Sequence, residues 1–509
     1  MAVTFTLTLD SPFGLLSEKC LLSGLAAGVF IKGKERRLTA LSTITKKPEG
    51  DELAMVDRNR KKKGWTALIA AAVTLSTVLS ACSGGKEPAS ASNAPSDGDP
   101  ITISFETSVY AEEPHKKAID ALIAKYNETH PNVTIKVHGT DYENYWDKLT
   151  TEILAGTQGD IVQVYPENIA TYNALQSGGT FVNLDEKIQA SGLEDKLVGQ
   201  ELSKVDGSYY ALSNYAWGST GIFYSKSMFE AAGIDPASIQ TMDDFKEAAI
   251  QLGGVKDGQY GFSSVIGTHP FIASEWYRLL ARPVSGGIYF PDGEAGPYEA
   301  DRINVNSAPN VWAAEWWQDL IKNPQATPPG TRDKKVSREM FWNGQAGMMM
   351  DGPWFIGMTK ERDEALMDDL GLMPQPSVVY EGQTYKPNPH NYPIVSMISK
   401  DSKHPDEAWE FLEWMTSREA QQIIAGSGMI PSSKEYAESE EYKTENPLAA
   451  QFFDFQENVY APAVMDPPIP ELGSLSQILI NAAQEMFVGM KDAKTALDSA
   501  AEQMKDTMH

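Results

Sequence analysis

From residue 101 onward, apolar and polar positions follow two alternating periods. Ile101-Thr102-Ile103-Ser104-Phe105 and Val133-Thr134-Ile135-Lys136-Val137 put an apolar side chain at every second position, the period of a strand with one buried face, and Asp160-Ile161-Val162-Gln163-Val164 adds a third strand. Between them, Pro114 to Thr129 spaces Ala118, Leu122, Ile123 and Tyr126 along one helical face, and Tyr145 to Leu154 predicts a second helix. A β-α-β-α-β order predicts a parallel sheet with crossover helices. Ligands of such sheets lie at the carboxyl ends of the strands. Farther on, Thr241-Met242-Asp243-Asp244 carries a helix N-cap with an acid three residues later, and the helix from Met228 is expected to stop at Gly233.

A different pattern precedes residue 101. The basic cluster Arg58, Arg60, Lys61, Lys62 and Lys63 is followed by an apolar and small-residue run from Thr66 to Leu79, which ends in Leu79-Ser80-Ala81-Cys82. The run is shorter than the roughly 20 residues of a stable membrane span, so it reads as an export signal. The Leu-Ser-Ala-Cys end resembles the lipobox of bacterial lipoproteins, and that resemblance implies cleavage before Cys82 and a lipid anchor, palmitate included, on its thiol. Ser83 to Pro100 holds almost only Ser, Gly, Ala, Pro, Asn, Asp, Lys and Glu. Such a composition cannot bury enough surface to order itself, and predicts a flexible tether reaching roughly 20 to 25 Å from the membrane. Met55 is then the expected start, with residues 1–54 an upstream or misassigned segment.

Charge sharpens the picture. The chain has 69 acidic against 43 basic residues, a net charge of -26, and residues 1–81 hold 7 of the acidic and 12 of the basic ones, so the exported part is more acidic still. An acidic exported surface repels polyanions and argues against nucleic acid as a partner. The only other cysteine besides Cys82 is Cys20, so the exported part is expected to be held by its apolar core rather than by a disulfide. None of the seven histidines pairs at zinc-ligand spacing, and neither a Gly-x-Ser-x-Gly elbow nor a phosphate-cradling glycine loop occurs. No metal, cofactor or catalytic residue is expected.

Four further segments carry a family resemblance: Gly159-Asp160-Ile161-Val162 with Tyr172 to Gly179; Gly207 to Pro236; Phe341 to Phe355, reading FWNGQAGMMMDGPWF; and Ala408 to Pro431. In this order, behind a lipobox, they resemble the extracellular solute-binding proteins of bacterial ABC importers, particularly the carbohydrate type that includes maltose-binding protein. The resemblance covers residues 100–509. It implies a periplasmic-binding-protein-like α/β fold, with two lobes joined by a multi-strand hinge and the ligand cleft between them. The expected lobes are 101–214 plus 393–428 and 215–392 plus 429–509, with a tether at 82–100 and a signal peptide at 55–81.

In sugar-binding relatives the tryptophan of the Gly-Pro-Trp turn stacks on the ligand, which singles out Trp354. A pyranose shows apolar faces and a rim of hydroxyls, so aromatic rings and carboxylates or amides at strand ends are the matching chemistry. Further candidates of this kind are Tyr110, Asp141, Tyr142, Tyr165, Glu167, Tyr215, Trp217, Trp276, Asn391 and Tyr392. Asp160, ahead of its strand, is expected to be a turn acceptor, and Trp312, Trp316 and Trp317, at helical spacing, to pack. The resemblance implies a monomer on the outer face of the cell membrane that takes a sugar, an oligosaccharide by its aromatic supply, and delivers it to permease subunits. An exported glycoside hydrolase or a lipoprotein for a non-sugar solute is the alternative.

Overall fold

The computed structural model describes residues 100–508, apart from 268 and 390–392. Cys82, the export signal, the tether up to residue 99 and the candidates Asn391 and Tyr392 therefore lie outside the described residues.

The first lobe grows from the three expected strands. Ile101–Thr107 is the centre, paired in parallel with Val133–Gly139 on one side and Ile161–Val164 on the other, and Val395–Ile398 returns late in the chain to add an antiparallel edge. Ile103 and Phe105 alternate into the core as their spacing dictates. The helix Glu113–Asn127 lays Ala118, Ile119, Leu122 and Tyr126 on the sheet, with Ile123 half-buried at the margin of that face. Asp160 is a turn acceptor, as expected: it takes hydrogen bonds from Ser104 N (2.8 Å), Ser104 Oγ (2.6 Å) and Ser402 Oγ (2.7 Å).

The second lobe is built on a mixed sheet. Its strands run in the order Leu370–Met373, Gly221–Ser225, Ala346–Asp351, Tyr260–Phe262, antiparallel except for the last pair. Every residue of Ala346–Asp351 is buried, which is why its sequence reads as a continuous apolar run rather than an alternation. Thr241 and Asp244 close a reciprocal capping box on the helix Met242–Gly253, and Gly233 ends the preceding helix at φ 68°, a left-handed conformation open to glycine without strain. Trp317 is fully buried on Ala308–Lys322, while Trp312 and Trp316 are half-buried on the same helix.

Between the lobes, Ala216–Trp217 pairs antiparallel with Ile430–Pro431. Gln421 Nε2 donates to Asn214 O (3.0 Å), so the first crossing strand is tied to the helix Arg418–Ala425. These crossings place the carboxyl ends of the first lobe's strands opposite two helices of the second.

Candidate functional site

A cleft of about 580 Å³ lies between the lobes. Each parallel strand of the first lobe delivers residues to it at its carboxyl end, as the strand-end rule requires. After Ile101–Thr107 come Ser108, Val109, Glu112 and His115; after Val133–Gly139, Asp141 and Tyr142; after Ile161–Val164, Tyr165. Thr107 Oγ1 steadies the first of these turns, donating to Gln163 Oε1 (2.6 Å) and accepting from Val109 N (3.2 Å). Asp141 caps the helix Tyr142–Ala155 by accepting from Asn144 N (3.2 Å), which fixes where Tyr142 enters the cleft.

The opposite wall is helical. Lys334–Trp342, capped by Asp333 accepting from Val336 N (2.8 Å), presents Lys334, Arg338 and Trp342 four residues apart, with Lys335 and Glu339 beside them. The helix Trp354–Arg362 adds Trp354 and Met358; His269 and Phe271 complete this side, and Ile394 and Met429 on the crossing segments line the cleft between the two walls.

Trp354 stands where the fully buried strand Ala346–Asp351 breaks at Gly352-Pro353. Its ring packs on glycine backbone. A Cβ at Gly352 would lie 2.2 Å from the ring and one at Gly218 3.0 Å from it, so both positions exclude a side chain if the ring is to keep its place. The half-buried indole touches the cores of both lobes.

Behind this wall sits a buried ion network. Asp351, with no exposed surface, accepts from Arg338 Nε (2.8 Å) and lies 3.5 Å from Lys334 Nζ; Lys334 also donates to Met350 O. Burial would raise the Asp351 carboxyl, but Arg338 and then Lys334 more than offset it and hold it below the usual range. Burial lowers Lys334, against the opposing fields of Asp351 and Glu275.

Two histidines face the cleft as neutral rings. His115, 2 % exposed, is brought down to about 4 by burial and then by the Arg338 charge, and its Nδ1 lies 2.8 Å from the Tyr215 hydroxyl. His269 is brought down to about 4 by burial and by Lys334 and Arg338. A neutral imidazole can donate and accept at once, which suits a ligand edged with hydroxyls.

Several contacts join the two lobes, some in the cleft and some at its rim. Lys117 Nζ meets both oxygens of Glu361 at 2.6 Å, Glu112 lies 3.8 Å from Arg338, the Tyr142 and His269 rings stack at 5.9 Å, and Thr171 Oγ1 donates to Ile469 O (3.2 Å).

Of the sequence candidates, Trp354, Asp141, Tyr142 and Tyr165 come together in the cleft. Five others, four rings and Glu167, sit elsewhere. Tyr110 turns away from the cleft to donate to Asp120 Oδ1 (2.7 Å), its ring lying over Gly139. Tyr215 is fully buried behind His115, Trp217 stacks on Phe453 at 5.3 Å, and Trp276 is fully buried in the second lobe's core against Phe487. Each of these rings finds an apolar or hydrogen-bonded seat that a position in a turn or crossing strand does not reveal. Glu167 occupies the first turn of Pro166–Ala174, outside the cleft lining, and its charge acts on Arg278. Glu112, His115, His269, Phe271, Lys334, Arg338 and Trp342 were missed as site residues. The four-residue spacing of Lys334, Arg338 and Trp342 was the readable signal, a mixed cationic and aromatic face on one helix.

Rings from both lobes, three cations (Lys334, Lys335, Arg338) and four carboxylates (Glu112, Glu113, Asp141, Glu339) share the cleft. Charge of both signs with flat apolar faces can hold a polar, uncharged solute by stacking and by donated and accepted hydrogen bonds.

Comparison with known proteins agrees. The profile of the family described as bacterial extracellular solute-binding protein matches residues 111–422. A binding protein of Brucella abortus (strain 2308) is 24% identical over 409 residues, covering 78% of this chain and 89% of that protein. A maltooligosaccharide ABC transporter solute-binding lipoprotein of Streptococcus pneumoniae (strain ATCC BAA-255 / R6) is 22% identical, covering 86% of this chain and 95% of its own. Among solved structures, an ABC transporter solute-binding protein of Thermotoga lettingae bound with alpha-D-tagatose superposes with a TM-score of 0.67 at 18% identity, over 81% of this chain and 100% of that one. The two-lobed α/β architecture is the one these proteins share.

Proposed function

The chain belongs to the bacterial extracellular solute-binding proteins, and from that premise we propose that it is the membrane-anchored binding lipoprotein of an ABC importer, capturing a sugar or short oligosaccharide by hinge closure and handing it to the permease. One observation carries the reading: the Trp354 ring, seated on the glycine backbone of residues 218 and 352, stands in an interlobe cleft with Tyr142, Tyr165 and charged groups of both signs. The sugars in the names of the Streptococcus pneumoniae and Thermotoga lettingae proteins support it.

The lobes are residues 101–214 plus 393–428 and 215–392 plus 429–509, and the crossings near Asn214 to Ser219 are the hinge. Closure is favoured because a ligand held by both lobes binds the closed form better than the open one. Cys82, cleaved and lipidated, anchors the protein at the outer face of the cell membrane, and residues 82–100 are its leash.

Titration calorimetry on the chain from residue 82, with Cys82→Ser, against maltotriose, β-1,4-mannobiose, chitobiose and tagatose tests the ligand class. Saturable binding of at least one, with no release of reducing ends, is expected. Binding of none, or turnover in proportion to protein, defeats the reading. In cells making the full chain, a clickable palmitate analogue is expected to label the protein and Cys82→Ser to abolish the label.

A further inference from the structure

Behind the second lobe's wall, two buried groups of opposite charge each keep a hydrogen-bonding edge without a partner. Glu275, with no exposed surface, accepts from Ser264 Oγ (2.7 Å) and Val265 N (2.9 Å) through Oε2, while Oε1 meets no donor. Arg332, 5% exposed, donates through Nη1 to Pro328 O (2.7 Å) and Gly330 O (3.0 Å), while Nε and Nη2, the side edge of its fork, meet no acceptor. Each charge acts on the other, so the two edges share one compartment. Because Oε2 is taken up as an acceptor, the proton of a neutral Glu275 lies on Oε1 and brings a third unmatched donor to a place that already holds two. A carboxylate oxygen there accepts what Arg332 donates.

The other charged groups nearby are committed. Asp351 is shared between Lys334 (3.5 Å) and Arg338 (2.8 Å), and Lys334 Nζ lies 4.4 Å over the Phe271 ring. Arg278, just past the helix of Glu275, is 3.3 Å from Asp466, and His269 is neutral. On the strand Tyr260–Phe262, Tyr260 acts on Arg332. On the helices packed behind, Leu472–Phe487 and Ala308–Lys322, Glu485 pairs with Lys491 (2.8 Å), and Glu315, Asp319 and Lys322 are exposed. Among the described residues no carboxylate pairs with Arg332.

We propose that Glu275 and Arg332 are positioning residues that form a proton-gated brace: once ionised, its proton lost to solvent, Glu275 turns Oε1 onto the Nε and Nη2 edge of Arg332. The brace joins the two segments that carry the wall. Ser264 and Val265 lead into His269 and Phe271, and Arg332 directly precedes Asp333, the N-cap of the helix bearing Lys334, Arg338 and Trp342. Ile266 N to Arg332 O (2.9 Å) and the Ser263 and Ser337 hydroxyls (2.9 Å) already hold these segments in register, so ionisation tightens a wall that is otherwise assembled. Burial raises Glu275 to about 7 against the opposing Lys334 and Arg332 charges, which sets the gate near neutral pH, and Arg332, lowered by burial to about 10, stays a cation throughout. Resting on the saccharide reading above, a braced wall meets the ligand preorganised, and capture is tighter above neutral pH than below it.

Two measurements test this, and the first needs no ligand. Glu275→Gln, Arg332→Met and the double variant, unfolded in urea at about pH 5.5 and about pH 8.5, form a double-mutant cycle. Coupling between the two positions is expected at the higher pH and not at the lower. Equal coupling at both, or none at the higher, overturns the brace. If Arg332→Met fails to fold, proton–nitrogen spectra of the arginine Nε–H groups take its place: one signal is expected to shift through neutral pH in the wild type and to stay fixed in Glu275→Gln, and the lack of such a signal overturns the brace. The second measurement is calorimetry with whichever of maltotriose, β-1,4-mannobiose or chitobiose binds. Wild-type affinity is expected to be at least about threefold tighter at the higher pH, and that of Glu275→Gln to be flat. A flat wild type, or the same dependence kept in Glu275→Gln, overturns the positioning role. A wild type that binds no saccharide at either pH overturns the carbohydrate reading alone, since the cycle judges the brace without ligand.

Discussion

The two walls of the cleft are made by different physics. In the first lobe, the site residues are what parallel strands deliver at their carboxyl ends, and the charge beneath them is modest: Glu106 is buried, but its partners Lys148 (2.8 Å) and His138 (3.0 Å) are about one third exposed. In the second lobe, the wall is a pair of helices standing on the fully buried Asp351, with Lys334 buried and Arg338 largely buried around it, and with Glu275 and its hydrogen bonds from Ser264 Oγ (2.7 Å) and Val265 N (2.9 Å) close behind. A second buried network, Arg278 and Arg282 on Asp466, anchors the segment that precedes the last two helices. One wall is positioned by backbone, the other by ion pairs. The second is therefore the more vulnerable to a single substitution.

The largest expected effect tests that contrast directly. Asp351→Ala leaves Arg338 and Lys334 buried without their carboxylate, a change that typically destabilises by about 3–5 kcal/mol. Glu106→Ala leaves partners that can turn to water, so about 1–2 kcal/mol is expected. Urea unfolding of both variants checks the difference, and equal losses would erase the distinction between the walls.

Next comes the ring that both lobes touch. Trp354→Ala is expected to weaken saccharide binding at least tenfold, about 1.4 kcal/mol, while the chain still folds. Gly352→Ala is the sharper probe, because its new methyl falls where the indole lies, 2.2 Å from the ring, and must displace it. Calorimetry is expected to show a loss approaching that of Trp354→Ala. An unchanged affinity in both would return Trp354 to a packing role.

Acid and base groups behind the walls give a third contrast. His115 and His269, lowered to about 4, are neutral when folded; their contribution is fully present above the unfolded value of 6.5 and is lost as pH falls through 4. Glu275 and Glu294, raised by burial to about 7, act oppositely: the folded state keeps their protons, so their contribution is present below 4.5 and lost as pH rises through 7. Between 4.5 and 6.5 the two pairs oppose each other. Glu275→Gln keeps the acceptor for Ser264 and Val265 and removes one titration. Its stability relative to wild type is expected to rise by up to about 1.4 kcal/mol per pH unit across 4.5 to 7. Denaturation at stepped pH measures it, and a flat difference would mean that Glu275 is charged in the folded state.

The same contrast explains what could be read from sequence. Strand-end residues Asp141, Tyr142 and Tyr165 were legible because a period of two fixes where a strand ends and a parallel sheet fixes which end binds. Lys334 and Arg338 were passed over because a Lys-Lys-x-x-Arg turn reads as a solvated helix face; their spacing with Trp342 marks one face, but only the buried Asp351, 13 and 17 residues away, gives that face a reason to turn inward. Tyr215 and Trp217 show a second limit. Two residues apart on an extended segment, they share a side, yet the chain is crossing between lobes and each ring joins a different core. Periodicity reports a face but not which neighbour covers it.

The smallest effect belongs to the clasp outside the cleft. Lys117 and Glu361 meet at 2.6 Å across the lobes, but their side chains are 56% and 42% exposed, and pairs so wet contribute about 0–1 kcal/mol. If the clasp only steadies the closed form, Lys117→Ala lowers saccharide affinity no more than a few-fold. The loss disappears at about 1 M salt, where the screening length is near 3 Å. Trp354→Ala would behave otherwise, since a stacked ring carries no charge to screen, and its deficit is expected to persist at high salt. Calorimetry of the two variants at low and high salt separates a rim contact from a ligand contact; a salt-independent loss in Lys117→Ala would move the clasp from the rim into the binding site itself.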